Sequence, residues 1–278
     1  MLSQEFMRNA LLAGTFVALA CGVCGWFVVL RGQVFAGDAL SHVAFPGALA
    51  AAAAGLDERV GLFAATVAVA LGMGALGRGA VGLAGGGRRA GSLPVDDTAI
   101  GVLFTFILGV GLFFLTRFSM GSGGSAGVQA AHTLFGSIFG LAAGEARLAA
   151  VVGLAVVGAM ALIARPLLFA SVAPDVAGAR GVPTRMLGIA FLALLGVVAA
   201  EATQAVGALL LLGLLAVPAA AAHRLARGPA AGVALAALFA VAATWAGLAL
   251  AYAVPSLPPS TAIVGVAVAM YSISTILT

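Results

Sequence analysis

Charge is what this sequence has least of. Only 8% of its 278 residues are charged, and none is lysine: all thirteen basic residues are arginine. A water-soluble domain carries about a quarter charged residues, so this chain lacks the polar surface to cover a globule. That excludes a soluble enzyme and a disordered tail. Two cysteines are too few for a secreted disulfide scaffold. Aromatic residues are 7% of the chain, and no aromatic-plus-basic platform exists on which nucleic acid could stack. The three histidines include no H-E-x-x-H pair, which speaks against an intramembrane metalloenzyme.

Apolar residues, by contrast, make up 63% of the chain and glycine contributes 39 positions; the mean hydropathy is +1.20. Uninterrupted apolar runs of about 20 residues cross a bilayer as helices, whereas barrel strands alternate apolar with polar. The sequence therefore predicts an all-α integral membrane protein, a single membrane domain over residues 1–278. Small residues let helix backbones approach closely in lipid, which predicts a tightly packed bundle. Cys21 and Cys24 fall within the first run; a thiolate is disfavoured there, so both read as small packing residues. That run continues past Cys21 to Leu30 and is too long for a signal-peptide core; it reads as a retained span.

Charges and Gly/Pro clusters divide the chain into nine candidate spans: 9–30, 38–56, 60–77, 98–116, 147–164, 186–202, 205–222, 229–254 and 260–277. The tight turn near Gln204 leaves eight spans with one broken helix as the alternative. Arg31, Arg78, Arg88, Arg89, Arg165, Arg180, Arg185, Arg224 and Arg227 fall in one set of loops, against Arg8, Arg59, Arg117 and Arg147 in the other. The arginine excess marks the cytoplasmic side; with nine spans the N-terminus is outside. Glycine clusters at 85–87 and 121–127 lie in loops, and neither has a phosphate-binding pattern. The segment 133–141 is too short to span and reads as re-entrant or interfacial.

An ionisable group at a helix centre in the bilayer costs at least about 2.5–3.5 kcal/mol, so each one needs a reason. Asp38 and His42 stand four residues apart, one above the other on a single helix face. A carboxylate and an imidazole so placed suit a divalent Mn, Fe or Zn ion. The alternative reading is an Asp N-cap beside a hydrogen-bonded His. Glu201 is a further hard ligand for the cation path, or a carboxylate in interfacial water at a turn. His132 reads as a surface or hydrogen-bonded residue, and His223 as part of a cytoplasmic boundary. The segment 165–185 is distinct. In it Pro174, Asp175, Val176, Ala177, Gly178, Ala179, Arg180 and Gly181 spell a short capped helix. Such a helix, lying along the membrane, either docks a cytoplasmic partner or has none.

These residues resemble the membrane permease subunit of the ATP-binding-cassette importers for manganese, zinc or iron. The resemblance rests on Val28 to Arg31, Gly37 to His42 with Pro46 and Gly47, Asp96 to Gly101, Leu134 to Gly136, Pro174 to Pro183, Gln204 to Gly207 and Pro218 to Ala221. It implies a bacterial cytoplasmic-membrane protein that is not itself an enzyme. It further implies a permease homodimer, a separate cytoplasmic ATP-binding subunit and an extracytoplasmic metal-binding protein, with no nucleic-acid partner. No cofactor is held permanently; the metal ion is cargo. In the family the Asp and His of the second helix line the cation path, here Asp38 and His42, and a coupling helix follows the fifth span, here 174–181. This chain departs from the family in having Val172 and Ala173 where Phe-Asp is common. A permease for cobalamin or a siderophore is the nearest rival, but so large a ligand has little use for ion ligands. A secondary transporter is the other, and the inverted repeats it usually carries are not found.

Overall fold

The computed structural model describes residues 4–76, 97–121, 138–205 and 207–277. In chain order these form α1 (Glu5–Leu30), α2 (Val34–Ala53), α3 (Glu58–Leu76) and α4 (Asp97–Gly121), then a single 3-10 turn (Ile138–Gly140). There follow α5 (Ala143–Val172), α6 (Pro174–Ala179), α7 (Thr184–Ala205), α8 (Ala208–Leu225), α9 (Pro229–Ala253) and α10 (Pro259–Leu277). Seven of the long helices are apolar over 18 residues or more; α4 and α8 carry shorter apolar stretches, Ile100–Phe114 and Leu211–Leu225. The protein is therefore an all-α bundle of membrane-spanning helices with one short helix, α6, outside it.

Side-chain contacts define the two ends. At one, Asn9 donates to the Leu141 carbonyl, Phe6 meets Phe139 edge-on and Arg59 donates to Gln204. At the other, Arg31 donates to Ser171, the Trp26 carbonyl accepts from His223 Nε2 at 2.9 Å, and Arg224 lies over Tyr271. The second end holds α6 and the arginine-rich loops, and is the cytoplasmic one by arginine asymmetry. His223 accordingly sits at a cytoplasmic helix end, where it also stacks on Trp26 with 4.8 Å between ring centroids.

Several expected boundaries move. The second span opens at Val34 rather than residue 38. The fifth runs through Pro166 to Val172, so only the last part of 165–185 is separate from it. The turn near Gln204 is a true break: α7 stops at Ala205, Gly207 has φ +98°, and α8 starts at Ala208. A left-handed φ of that kind interrupts a helix and is tolerated by glycine. His132, the 85–87 glycines and residues 122–137 lie outside the described residues.

Small residues set the packing. A Cβ at Gly22 would lie 2.6 Å from the Ala236 carbonyl oxygen, and one at Gly153 would lie 2.7 Å from that of Phe16. Cys21 and Cys24 are fully buried free thiols among these contacts. The 3-10 turn from the 133–141 segment rests against α1 at the outer end, through Phe139 and Leu141.

Candidate functional site

The chain between α1 and α2 is only three residues long. Arg31 closes α1, Gly32 takes φ +64°, the Gly32 N–H donates to Val29 O and the Gln33 N–H donates to Val28 O. These two bonds satisfy the orphaned carbonyls of α1 and deliver Gln33 directly as the cap residue of α2. Asp38 therefore lies inside α2, one turn from its start, and is not an N-cap; that alternative reading is corrected. Asp38 and His42 share one helix face, with His42 Nε2 4.0 Å from Asp38 Oδ1. Their side chains are 33% and 21% exposed, so the pair is partly open rather than sealed in the core. The Phe104 ring of α4 stands 5.6 Å from the His42 ring. Between them Ser41 is buried and turned away, its hydroxyl donating to the Asp38 carbonyl at 2.6 Å.

Two ligands bound at about 2.1 Å to one tetrahedral ion stand roughly 3.4 Å apart. The observed 4.0 Å exceeds that by about 0.6 Å, within reach of a rotamer adjustment. The pair is incomplete alone: among the described residues no third His, Cys, Asp or Glu joins it.

Glu201 is placed elsewhere. It is 4% exposed on α7 and borders a crevice lined by Val17 and Ala20 of α1, Val152, Gly153 and Val156 of α5, and Val198. No α2 residue contributes to this crevice, and the structure does not bring Glu201 to Asp38 and His42. Its Oε2 has no hydrogen-bond partner among the described residues. At the outer end of the same helix, the Arg59 guanidinium donates to Gln204 Oε1 at 3.0 and 2.7 Å and stands 3.9 Å from Glu145. Asp57 caps α3 by accepting the Arg59 N–H, and Glu145 accepts the Ala142 N–H at the start of α5. Sequence reading missed this outer cluster. Its signal was three polar residues at the ends of three different spans.

The short helix α6 forms as its residues dictate. Pro174 opens it, Asp175 lies in its first turn, and Ala177 is fully buried against the bundle. Asp175, Val176, Gly178, Ala179 and Arg180 are exposed. The Val182 N–H donates to Ala177 O, and Gly181 adopts φ +76°, ending the helix as α1 ends. The face turned from the bundle sets Asp175 and Arg180 among small apolar residues and carries no net charge.

Sequence reading took Arg31 as a cytoplasmic loop arginine and as part of a motif. Its guanidinium donates from Nε to Gln33 Oε1 at 3.1 Å and from Nη1 to Ser171 Oγ at 2.9 Å. It lies 5.6 Å from the centroid of the Phe191 ring. Burial lowers its pKa from the ordinary value, though an arginine so shifted stays protonated.

A bundle of apolar helices with a paired carboxylate and imidazole on a partly exposed face, and a short helix at its cytoplasmic end, is the architecture of a multi-pass membrane transport permease. The sequence matches the ABC 3 transport family over residues 3–278, and the chain belongs to that family. It is 32% identical to the manganese transport system membrane protein MntC of Halalkalibacterium halodurans over 248 residues, covering 89% of this chain and 79% of that one. It is 28% identical to a probable iron transport system membrane protein of Haemophilus influenzae over 217 residues, 78% of this chain and 73% of the other. Its fold is similar to PsaBC from Streptococcus pneumoniae, solved in complex with a Fab: the TM-score is 0.80 at 26% identity, over 98% of this chain and 91% of that chain.

Proposed function

We propose that this chain is the permease of an ATP-driven importer for a divalent first-row metal ion, with manganese, iron and zinc as the candidate cargoes. The observation that carries this reading is the Asp38–His42 pair: two ligand types suited to such ions, 4.0 Å apart and partly open. The names of the relatives point to manganese and iron. A first-row ion takes four to six ligands, and one chain offers two. A second copy of the chain supplies the second pair, so the path runs between two permeases. Few and partly hydrated ligands bind weakly enough to release the ion, as conduction requires.

In this reading an extracytoplasmic binding protein delivers the ion to the outer end, and a separate ATP-binding subunit docks on α6 from the cytoplasm. ATP binding moves α6, and the bundle exchanges outward-open for inward-open. Only a difference in ion affinity between those states moves cargo.

The test is uptake of radiolabelled manganese, iron and zinc by proteoliposomes holding the permease, its ATP-binding subunit and its binding protein. ATP-dependent uptake of one metal that collapses in both Asp38→Ala and His42→Ala, with assembly intact, is expected. Uptake of a metal chelate but of no free ion would overturn the reading in favour of the chelate permease.

A further inference from the structure

Arg31 joins three elements that the chain path keeps apart. Through Gln33 it holds the residue that begins α2, five positions before Asp38. Through Ser171 it holds the end of α5, three positions before Pro174 opens α6. Its face covers Phe191 of α7, a fully buried ring that also meets Phe27 of α1. Ser171 is itself fixed, its hydroxyl donating to Leu167 O at 2.6 Å. Gln33 is 5% exposed, and its carbonyl accepts the Gly37 N–H at 3.2 Å. Both acceptors therefore move with their helices. Among the described residues no carboxylate stands within ion-pair distance of Arg31, so its charge is directed wholly at these two neutral oxygens and the ring.

From this geometry we infer that Arg31 is the positioning residue that passes displacement of the α5–α6 junction to the start of α2, and so to Asp38 and His42. The inference rests on the reading of α6 as the docking element and of the pair as the ion site. The planar guanidinium offers several donors in a fixed fork, and can hold two acceptors on different helices while stacking on a ring. A lysine ammonium is a point donor on a flexible stem and cannot hold all three at once. The three-residue α1–α2 connection leaves no slack: a shift of Gln33 is a shift of α2.

The experiment compares wild type, Arg31→Met, Arg31→Lys and Ser171→Ala in the full complex in proteoliposomes, reading metal uptake and ATP hydrolysis together. Uptake per ATP hydrolysed is expected to fall at least tenfold in Arg31→Met and about threefold in Ser171→Ala, with Arg31→Lys nearer to Met than to wild type. A purely structural role would lower uptake and hydrolysis in proportion, and an unchanged ratio in the assembled variants overturns the inference. If Arg31→Met fails to assemble, Ser171→Ala, which loses one acceptor and no bulk, decides by the same ratio. Failure of the underlying reading looks different: the wild type itself then shows no ATP-dependent metal uptake.

Discussion

Gly47→Ala tests how closely α2 is seated. A Cβ at Gly47 would lie 2.6 Å from the Gly61 carbonyl oxygen of α3 and 2.5 Å from Ala65 Cβ. The oxygen is backbone and cannot swing aside. An ordinary carbon–oxygen contact is about 3.3 Å or longer, so α2 and α3 must part by roughly 0.7 Å. A gap of that size forfeits between a quarter and a half of each dispersion contact along the seam, and overpacking of this kind costs about 1–3 kcal/mol. Against it stands the better helix propensity of alanine, about 1 kcal/mol. Gly72→Ala, lower in α3, is the control, because nothing lies within 4 Å of its new Cβ; it receives the propensity gain alone. The difference between the two variants is then the contact term. At about 2–4 °C per kcal/mol for a chain of this size, Gly47→Ala melts roughly 2–12 °C below Gly72→Ala. Thermal unfolding in detergent, followed by tryptophan fluorescence, measures both. Equal midpoints, or a higher one for Gly47→Ala, would refute the close seating of α2 on α3.

Two further outcomes follow from the placement of polar groups and breakers. Glu201→Gln keeps the side-chain shape in a crevice formed by α1, α5 and α7, so metal uptake is expected to stay within twofold of wild type; a tenfold loss would bring Glu201 into the cation path. Pro46→Ala restores a backbone donor above His42, gaining up to about 3 kcal/mol of helix propensity while losing ring packing against Gly111 worth a similar amount. The thermal midpoint is expected to change little and the uptake rate to fall, whereas an unaltered rate would deny Pro46 any part in the movement of α2.

The number and kind of helices were legible in the sequence because membrane spanning depends on a sum over about 20 residues, to which each residue contributes alone. The ends were less so. Asp38 was taken for a boundary because charge usually marks one, yet here the helix begins a turn earlier, at Val34. Arg165 and Pro166 likewise read as a stop, while α5 continues to Val172. The pairing of Asp38 with His42 needed only helical spacing and was legible. The direction of Glu201 was not. Helices apolar on all sides bear no sequence mark of which face meets which neighbour, so only packing shows that Glu201 looks towards α1 and α5. The Arg31 contacts span 140 residues of sequence to Ser171, and no local pattern records them.

What joins the site to the fold is the way α2 is held. Its outer part is clamped: Gly47 sits on Gly61, Pro46 abuts Gly111 of α4, and Ala44 and Ala48 cluster with Leu62 and Ala200. Its cytoplasmic part carries Asp38 and His42 on a partly exposed face, while Ala36, Ala39 and Leu40 pack into the main core and Gln33 holds its start. Between the two stands Pro46, which has no N–H to offer the carbonyl of residue 42, one turn earlier. The helical ladder of α2 therefore lacks a rung directly above His42. If Arg31 passes a displacement to Gln33, as inferred above, the missing bond at Pro46 is where α2 would bend, and the segment bearing Asp38 and His42 would tilt. An ion held between two such segments would have its ligand separation changed by a movement at the cytoplasmic end alone. On the proposed function, such a change would supply the differential affinity that alternating access requires, with Pro46 and Arg31 as the residues to test for it.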